Sequence, residues 1–433
     1  MFSNKKIIVI LVAVILTGAG LYFGGINWFK KNIGYNVPPI ETPRPSGTGD
    51  APLSFLKLPD GFKINIFAED LENPRVIAFD PAGRIFVSET KTGKIVMLKD
   101  SDNDGESEDK IIILENLKQP HGLAFYTDNG KNTYLYVAET HQVARYSYDT
   151  QNSKVSSQKI IATLPPEGRH FTRTIAFGPN FRKSQIVGAI NTQVDTKLYM
   201  SVGSSCDVCV ETTTWKRAAI LESDPAGTYT AEFAGGLRNS VFFAFHPVTK
   251  EIWATEMGRD NLGDNLPPDE VNIVKVAGSE DKFGAKRYGW PFCYGNQVRD
   301  VKFNPEKIER TDISSDCLKT EPPVIEIPAH SAPLGLAFIP SNSGWPKELE
   351  GDLLVALHGS WNSSVPVGYK VVRYDLSADG KVLSQNPIDF ISGWLENGKT
   401  YGRPVDLKFG SEGDLYISDD AMGVIYKVTP LNE

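Results

Sequence analysis

Histidine is scarce in this 433-residue chain, at six residues, and cysteine is scarcer, at four. The spacings that would turn so few ligands into a zinc site are missing: there is no HExxH, and the single CxxC, Cys206-Asp207-Val208-Cys209, has no second copy. No GxGxxG follows a strand pattern, so a nicotinamide-nucleotide fingerprint is absent, and no GxSxG seats a hydrolase serine. Positive charge is in deficit: 45 basic residues against 53 acidic leave −8. Four lysines and no acid fall within residues 1–31, so the rest of the chain carries −12. Such a body argues against nucleic acid as the main partner, because phosphate binding needs clustered cations. It is compatible with bound calcium and a neutral small substrate. Sustained helical repeats are also missing; 38 glycines and 28 prolines favour short elements joined by turns over a coiled coil.

Long apolar runs are limited to one. Residues 7–29 are uncharged and lie between Lys5-Lys6 and Lys30-Lys31. About 20 apolar residues span a bilayer, so residues 1–31 are expected to form a single-pass transmembrane anchor helix with Trp28 near the far interface. A cleaved signal peptide, with Thr17 and Ala19 as small cleavage-site residues, is the alternative. No cysteine lies there to carry a lipid. The Pro-rich residues 32–52 read as an extended linker. The body, residues 53–433, is then expected on the extracytoplasmic side of the cell membrane. Four cysteines beyond an export signal read as two structural disulfides there: the CxxC, closed on itself, and Cys293 with Cys317.

What is abundant is a repeated unit. An apolar strand ending in Ala-Phe or similar, a turn and a second strand of the Leu-Tyr-Val type recur from Arg75, His121, Arg173, Ser240, Leu334 and Val405. Third strands such as KIVMLK, ARYSY and YKVVRYD follow. Alternating residues between Gly, Pro, Asp and Asn turns mark half-buried antiparallel strands. Six repeats predict an all-β fold, a six-bladed β-propeller, with GFKINIFA from Gly61 closing the ring.

In such a ring the residues before strand one and after strand two share one channel mouth. There the repeats bring Arg75, His121, His170, Arg238, Asn239 and Arg403 together with Glu89, Glu139, Glu256, His358, Asp419 and Asp420. A polar small-molecule site is expected at that mouth. His246, in a turn at the opposite end, reads as structural. Arg238 and Arg403 could bind a carboxylate bidentately, or brace the blades through Glu89, Glu256 or Asp406. Asp100, Asp102 and Asp104 form a DxDxDG loop suited to Ca²⁺, its shell finished by Glu108 or Asp109, since Ile111 stands where an EF-hand places its last ligand.

Several motifs together carry a family resemblance over residues 53–433. RHFTRTIAFGP from Arg169, GLRNSVFFAFHP from Gly236, EMGRDNLGDNLPPDEVN from Glu256, HGSWNSSVPVGYKVVR from His358 and GRPVDLKFGSEGDLYISDD from Gly402 occur in order. The chain resembles the quinoprotein sugar dehydrogenases, in particular the sorbosone and fungal pyranose dehydrogenase branch. The resemblance implies pyrroloquinoline quinone (PQQ) and Ca²⁺ at the mouth, and oxidation of an aldose or a sorbosone-like aldehyde. It implies His170 as general base, and Arg238, Asn239, His358, Trp361 and Arg403 as cofactor-binding residues. The backbone carbonyls of Gly258 and Arg259 match the cofactor's calcium ligands. Met257 and Val405 stand where the glucose-oxidising branch has glutamine and arginine, which points away from that branch. No CxxCH is present to attach a haem, so electrons must leave to a partner. A calcium-dependent propeller lactonase and a non-catalytic, membrane-tethered binding propeller are the competing readings.

Overall fold

The structure, a computed structural model, describes residues 53–431 apart from 103, 183–193, 279–283, 306–307 and 309–312. The anchor and linker expected over residues 1–52 lie outside the described residues. Among the described residues no helix is long and apolar enough to cross a membrane. Six antiparallel sheets of four strands form the blades of a propeller, and one of them gains a short parallel fifth strand, Lys286–Arg287. The first strands are Pro74–Phe79, Leu123–Thr127, Ile175–Pro179, Phe243–Phe245, Pro333–Phe338 and Pro404–Phe409. The ring closes as the repeat implies: Phe62–Ala68 adds the outer strand of the last blade, pairing Phe62 with Pro430 and Ile64 with Val428.

The second strands depart from the half-buried expectation. Ile85–Glu89, Ile252–Glu256, Leu353–Leu357 and Leu415–Asp419 are buried at every position. Blades stack face to face, so a strand near the axis has a neighbouring blade on each side and alternation loses its meaning. Partial exposure returns on outer strands such as Asp109–Leu114. Between the third and fourth strands of blade four, Asp269–Val274 and Ile325–Ile327, an insertion is stapled by Cys293–Cys317.

The acids at the mouth have a structural role that the repeat did not disclose. Each accepts a backbone N–H from the segment entering its own blade: Glu72 N to Glu89 (3.0 Å), Lys118 N to Glu139 (2.6 Å), Asn239 N to Glu256 (3.0 Å) and Arg403 N to Asp419 (2.9 Å). An acid ending strand two therefore satisfies the amide that strand one cannot pair, four times over. Burial pushes the Glu256 carboxyl up to about 8, and Glu270, its cross-strand partner, is pushed up to about 7 by the same cause. The folded chain thus keeps protons that the unfolded chain releases near pH 4.5, so stability falls as pH rises from there through about 8. Glu256→Gln should flatten that decline in melting temperature; an unaltered pH–melting profile would remove Glu256 as its source.

Candidate active site

His170 sits at the start of blade three, on a segment fixed from behind by two guanidiniums. Arg173, fully buried, donates to His170 O (2.9 Å) and Pro165 O (2.9 Å). Arg217 donates to Pro165 O (3.1 Å) and Gly203 O (3.1 Å). Gly203 is required where it stands: a Cβ there would lie 2.5 Å from Asn239 Oδ1 and 2.6 Å from His170 Cβ. Glycine thus lets the imidazole and the amide share one corner of the mouth.

The proton on His170 can be assigned by counting donors. Nδ1 lies 3.0 Å from both Ser204 O and Ser204 Oγ. The single hydroxyl proton of Ser204 goes to Cys206 O (2.6 Å). Both atoms facing Nδ1 are then acceptors, so Nδ1 carries the proton and Nε2 keeps its lone pair. Burial first, then the charges of Arg238 and Arg169, lower the imidazole pKa to about 2. It is a neutral base at any ordinary pH.

Arg238 is not the free clamp that the sequence suggested. Its Nε donates to Asp207 O (2.9 Å), Nη1 to Met257 O (3.2 Å), and Nη2 meets Asp207 Oδ1 (2.8 Å) and Asp260 Oδ2 (3.4 Å). Asp260 also pairs with Arg169 (2.5 Å) and accepts from Asn362 Nδ2 (2.7 Å). Bracing wins for Arg238, but through Asp207 and Asp260, not through Glu89, Glu256 or Asp406. Trp361 stands on the rim, 45% exposed, its ring centroid 5.7 Å from the Arg169 guanidinium carbon.

Arg403 differs. Its Nε and Nη2 donate only to the carbonyls of His358 (3.1 Å) and Gly359 (2.9 Å), and no ion pair reaches it among the described residues. Beside it, His358 Nε2 donates to Asp420 Oδ1 (2.9 Å), while Arg75 Nη1 pairs with Asp420 Oδ2 (2.6 Å). Burial, then Arg403, lowers His358 to about 4, so it is a neutral donor. Burial opposes ionisation of Asp420, but His358, Arg75 and Arg403 hold it well below the carboxylate range. At the mouth, therefore, Arg75, Arg169 and Arg238 form ion pairs with Asp420, Asp260 and Asp207, whereas Arg403, within electrostatic reach of Asp420 and Asp419, forms no ion pair with either among the described residues. His121 is fully buried among these groups, edge-on to Phe242, with Nε2 unpartnered. Arg403, with Nη1 making no hydrogen bond among the described residues, fits an anionic ligand such as a polycarboxylate.

Gly258 and Arg259 lie beside this group, next to a cavity of about 30 Å³. Their carbonyls accept no hydrogen bond among the described residues, which leaves both oxygens open to a hard cation. The acidic loop is elsewhere, on the opposite end of the ring. Asp100, Asp102, Asp104 and Glu108 bring one carboxylate oxygen each within 4.8 Å of one another. Asp109 does not join them; it opens the strand Asp109–Leu114, and its carbonyl accepts from Ser107. Glu108, one residue earlier, takes the place expected of it. His246, also at that end, accepts from Val248 N and Thr249 N and caps its own turn. Sequence reasoning placed Arg75 at the mouth but missed Ser204, Asp207 and Asp260; the last two lie in the quoted CDVC and EMGRD motifs, where their spacing alone gives no sign of convergence.

Comparison with known proteins adds to this geometry. A family model described as TrAA12-like matches residues 56–431. An uncharacterized protein of Borreliella burgdorferi is 32% identical over 389 residues, covering 87% of this chain and 91% of that protein. A pyrroloquinoline quinone-dependent sugar dehydrogenase of Hypocrea jecorina is 23% identical, over 85% of this chain and 87% of its own. Among solved structures, a calcium structure of a Trichoderma reesei protein of carbohydrate-active enzyme family AA12 superposes with a TM-score of 0.69 at 21% identity, covering 87% of this chain and 97% of that one.

Proposed function

The chain belongs to the TrAA12-like family, and on that premise we propose that it is a PQQ- and calcium-dependent sugar dehydrogenase, with His170 as its general base. The observation that carries this reading is the occurrence at one channel mouth of a neutral imidazole, Nε2 free, and the guanidinium of Arg403, which forms no ion pair among the described residues. PQQ, when bound, supplies a quinone that takes up a hydride equivalent from a sugar C–H, and Ca²⁺ supplies Lewis acidity. His170 Nε2 would accept the hydroxyl proton of the sugar, with the Ser204 acceptors stabilising the imidazolium through Nδ1–H. Arg403 Nη1 would hold a carboxylate of the cofactor, with the neutral His358 and Asn239 as further contacts. The carbonyls of Gly258 and Arg259 would ligate the calcium. Arg238 would act on this site through charge and by holding Asp207 and Asp260.

The substrate would be an aldose or sorbosone-like aldehyde, and the electrons would pass to a separate acceptor. Residues 7–29 would hold the enzyme at the cell membrane with the propeller on its extracytoplasmic side. Titrating the apo-protein with PQQ in the presence of Ca²⁺ tests the cofactor assignment: saturable binding is expected, and its absence would overturn the reading.

The Asp100 loop would bind a second Ca²⁺ that serves stability, because four carboxylates this close repel one another without a cation. Asp102→Ala combined with Asp104→Ala should lower the melting temperature in Ca²⁺ while leaving the Michaelis constant for sugar unchanged. A double mutant that melts like the parent would mean a solvated hairpin.

A further inference from the structure

The Cys206–Cys209 disulfide closes a ring of four residues whose first carbonyl is bonded by Ser204, the partner of His170 Nδ1, and its acceptors gather donors from several parts of the chain. Cys206 O accepts the Ser204 hydroxyl (2.6 Å). Asp207 O accepts from Arg238 Nε (2.9 Å) and from Trp290 Nε1 (3.2 Å). Asp207 Oδ1 accepts from Arg238 Nη2 (2.8 Å) and Asp260 N (2.8 Å). Those donors belong to the loop of blade three, the entry and the strand-two exit of blade four, and the insertion of that blade. On the other side, Glu211 fixes Ser205 through its backbone N–H (2.5 Å) and its hydroxyl (2.9 Å). No strand carries the ring residues, so the covalent link and these bonds are what fix its carbonyls in place.

We infer that this disulfide-closed ring is a positioning element for His170: it occupies the Ser204 hydroxyl proton and thereby keeps the imidazole proton on Nδ1. The inference rests on the proposed role of His170 as base. A serine hydroxyl can donate to an imidazole nitrogen as readily as it accepts from one. If Cys206 O moves away, the Ser204 proton is released and can turn to Nδ1. The imidazole proton then shifts to Nε2, and the lone pair that faces the channel is lost. The Ser204 carbonyl alone would still favour Nδ1–H, so a mixture of tautomers is the expected outcome. The charged groups around the ring nitrogens are Arg169 and Arg238 on the mouth side, with Arg217 behind; Asp207 and Asp260 hold the first two. Displacing the ring therefore also frees Arg238 to move. Among the described residues no other polar side chain is bonded to Nδ1, and no hydrogen bond joins Cys293 or Cys317 to Ser204 or Asp207.

The test reads the tautomer directly, by ¹⁵N imidazole resonances of His170 in the apo-protein. The parent should show Nδ1–H alone. Cys206→Ser with Cys209→Ser should show a mixture, and in the loaded enzyme turnover should fall by the share of Nδ1–H that is lost, with PQQ affinity nearly unchanged. Cys293→Ser with Cys317→Ser should lower the melting temperature and leave the tautomer alone. If the ring variant does not fold, the Cys293→Ser, Cys317→Ser protein treated with a dithiol gives the same comparison, two electrons and two protons passing from the dithiol to the remaining disulfide. An unchanged tautomer on opening the ring would overturn the inference and leave the disulfide a simple staple. The resonance needs no cofactor, so failure of the quinone reading would show in the PQQ titration and not here.

Discussion

His170→Ala is expected to bind PQQ nearly as tightly as the parent protein and to turn over sugar about two to four orders of magnitude more slowly, the usual weight of a general base. The geometry says why the loss should fall on turnover. The imidazole is held through Nδ1 by Ser204, and the guanidinium at the mouth without an ion pair among the described residues is that of Arg403. Removing His170 therefore removes the proton acceptor and leaves the anion-binding group in place. The pH dependence follows from the same environment. Burial and the neighbouring arginines keep the imidazole neutral far below its ordinary pKa of 6.5. The acid limb of the rate profile should thus lie well below pH 6.5 and not near it, unless another group limits the rate first. Dye reduction followed against pH in parent and mutant measures both effects. Near-normal turnover by His170→Ala would remove it from the mechanism.

Arg403 carries the second large effect. Losing one charge-assisted bond of roughly 1.5–3 kcal/mol should weaken PQQ binding by about one to two decades in Arg403→Ala. Arg403→Lys should also weaken it, because an ammonium cannot reproduce the planar fork that reaches past the carbonyls of His358 and Gly359. Pro404 follows directly and biases Arg403 toward an extended backbone, while Asp419 holds its amide, so the guanidinium has a rigid mount. The competing account is that Arg403 only ties the last blade to the His358 loop. It predicts a lower melting temperature with unchanged PQQ affinity, and a titration run beside a melting curve separates the two.

The fold was legible because its signal is repetition. Six copies of one hairpin, each with turn chemistry on one side and polar residues on the other, define both the ring and its mouth, and GFKINIFA was identifiable as the closing strand. The place of His170, His358 and Arg403 at the mouth was legible for the same reason, while the pairing of all four cysteines was read from their even number and the lone CxxC. What could not be read was which charges satisfy one another. Arg238 and Arg403 occupy similar positions in the repeat, yet Asp207 and Asp260 approach only the first. Asp207 arrives on a loop of one blade and Asp260 on a loop of the next, and linear spacing holds no record of that meeting. The acids ending the second strands were misread as site groups on the same account. Their partners are backbone amides, which no residue pattern advertises. Asp109 and Glu108 are neighbours in sequence, and only the register of Asp109 in its strand decides between them.

The proposed activity is oxidation of a sugar at this mouth by a quinone acting with a calcium ion and His170. Its most direct test is to reconstitute the protein with PQQ and Ca²⁺ and follow reduction of an artificial electron acceptor across a panel of aldoses and aldehyde sugars. Sugar-dependent dye reduction that requires PQQ and Ca²⁺ together, and is lost in His170→Ala, is the predicted result. Lactone hydrolysis that proceeds with Ca²⁺ and no quinone, or sugar binding with no dye reduction for any member of the panel, would contradict it.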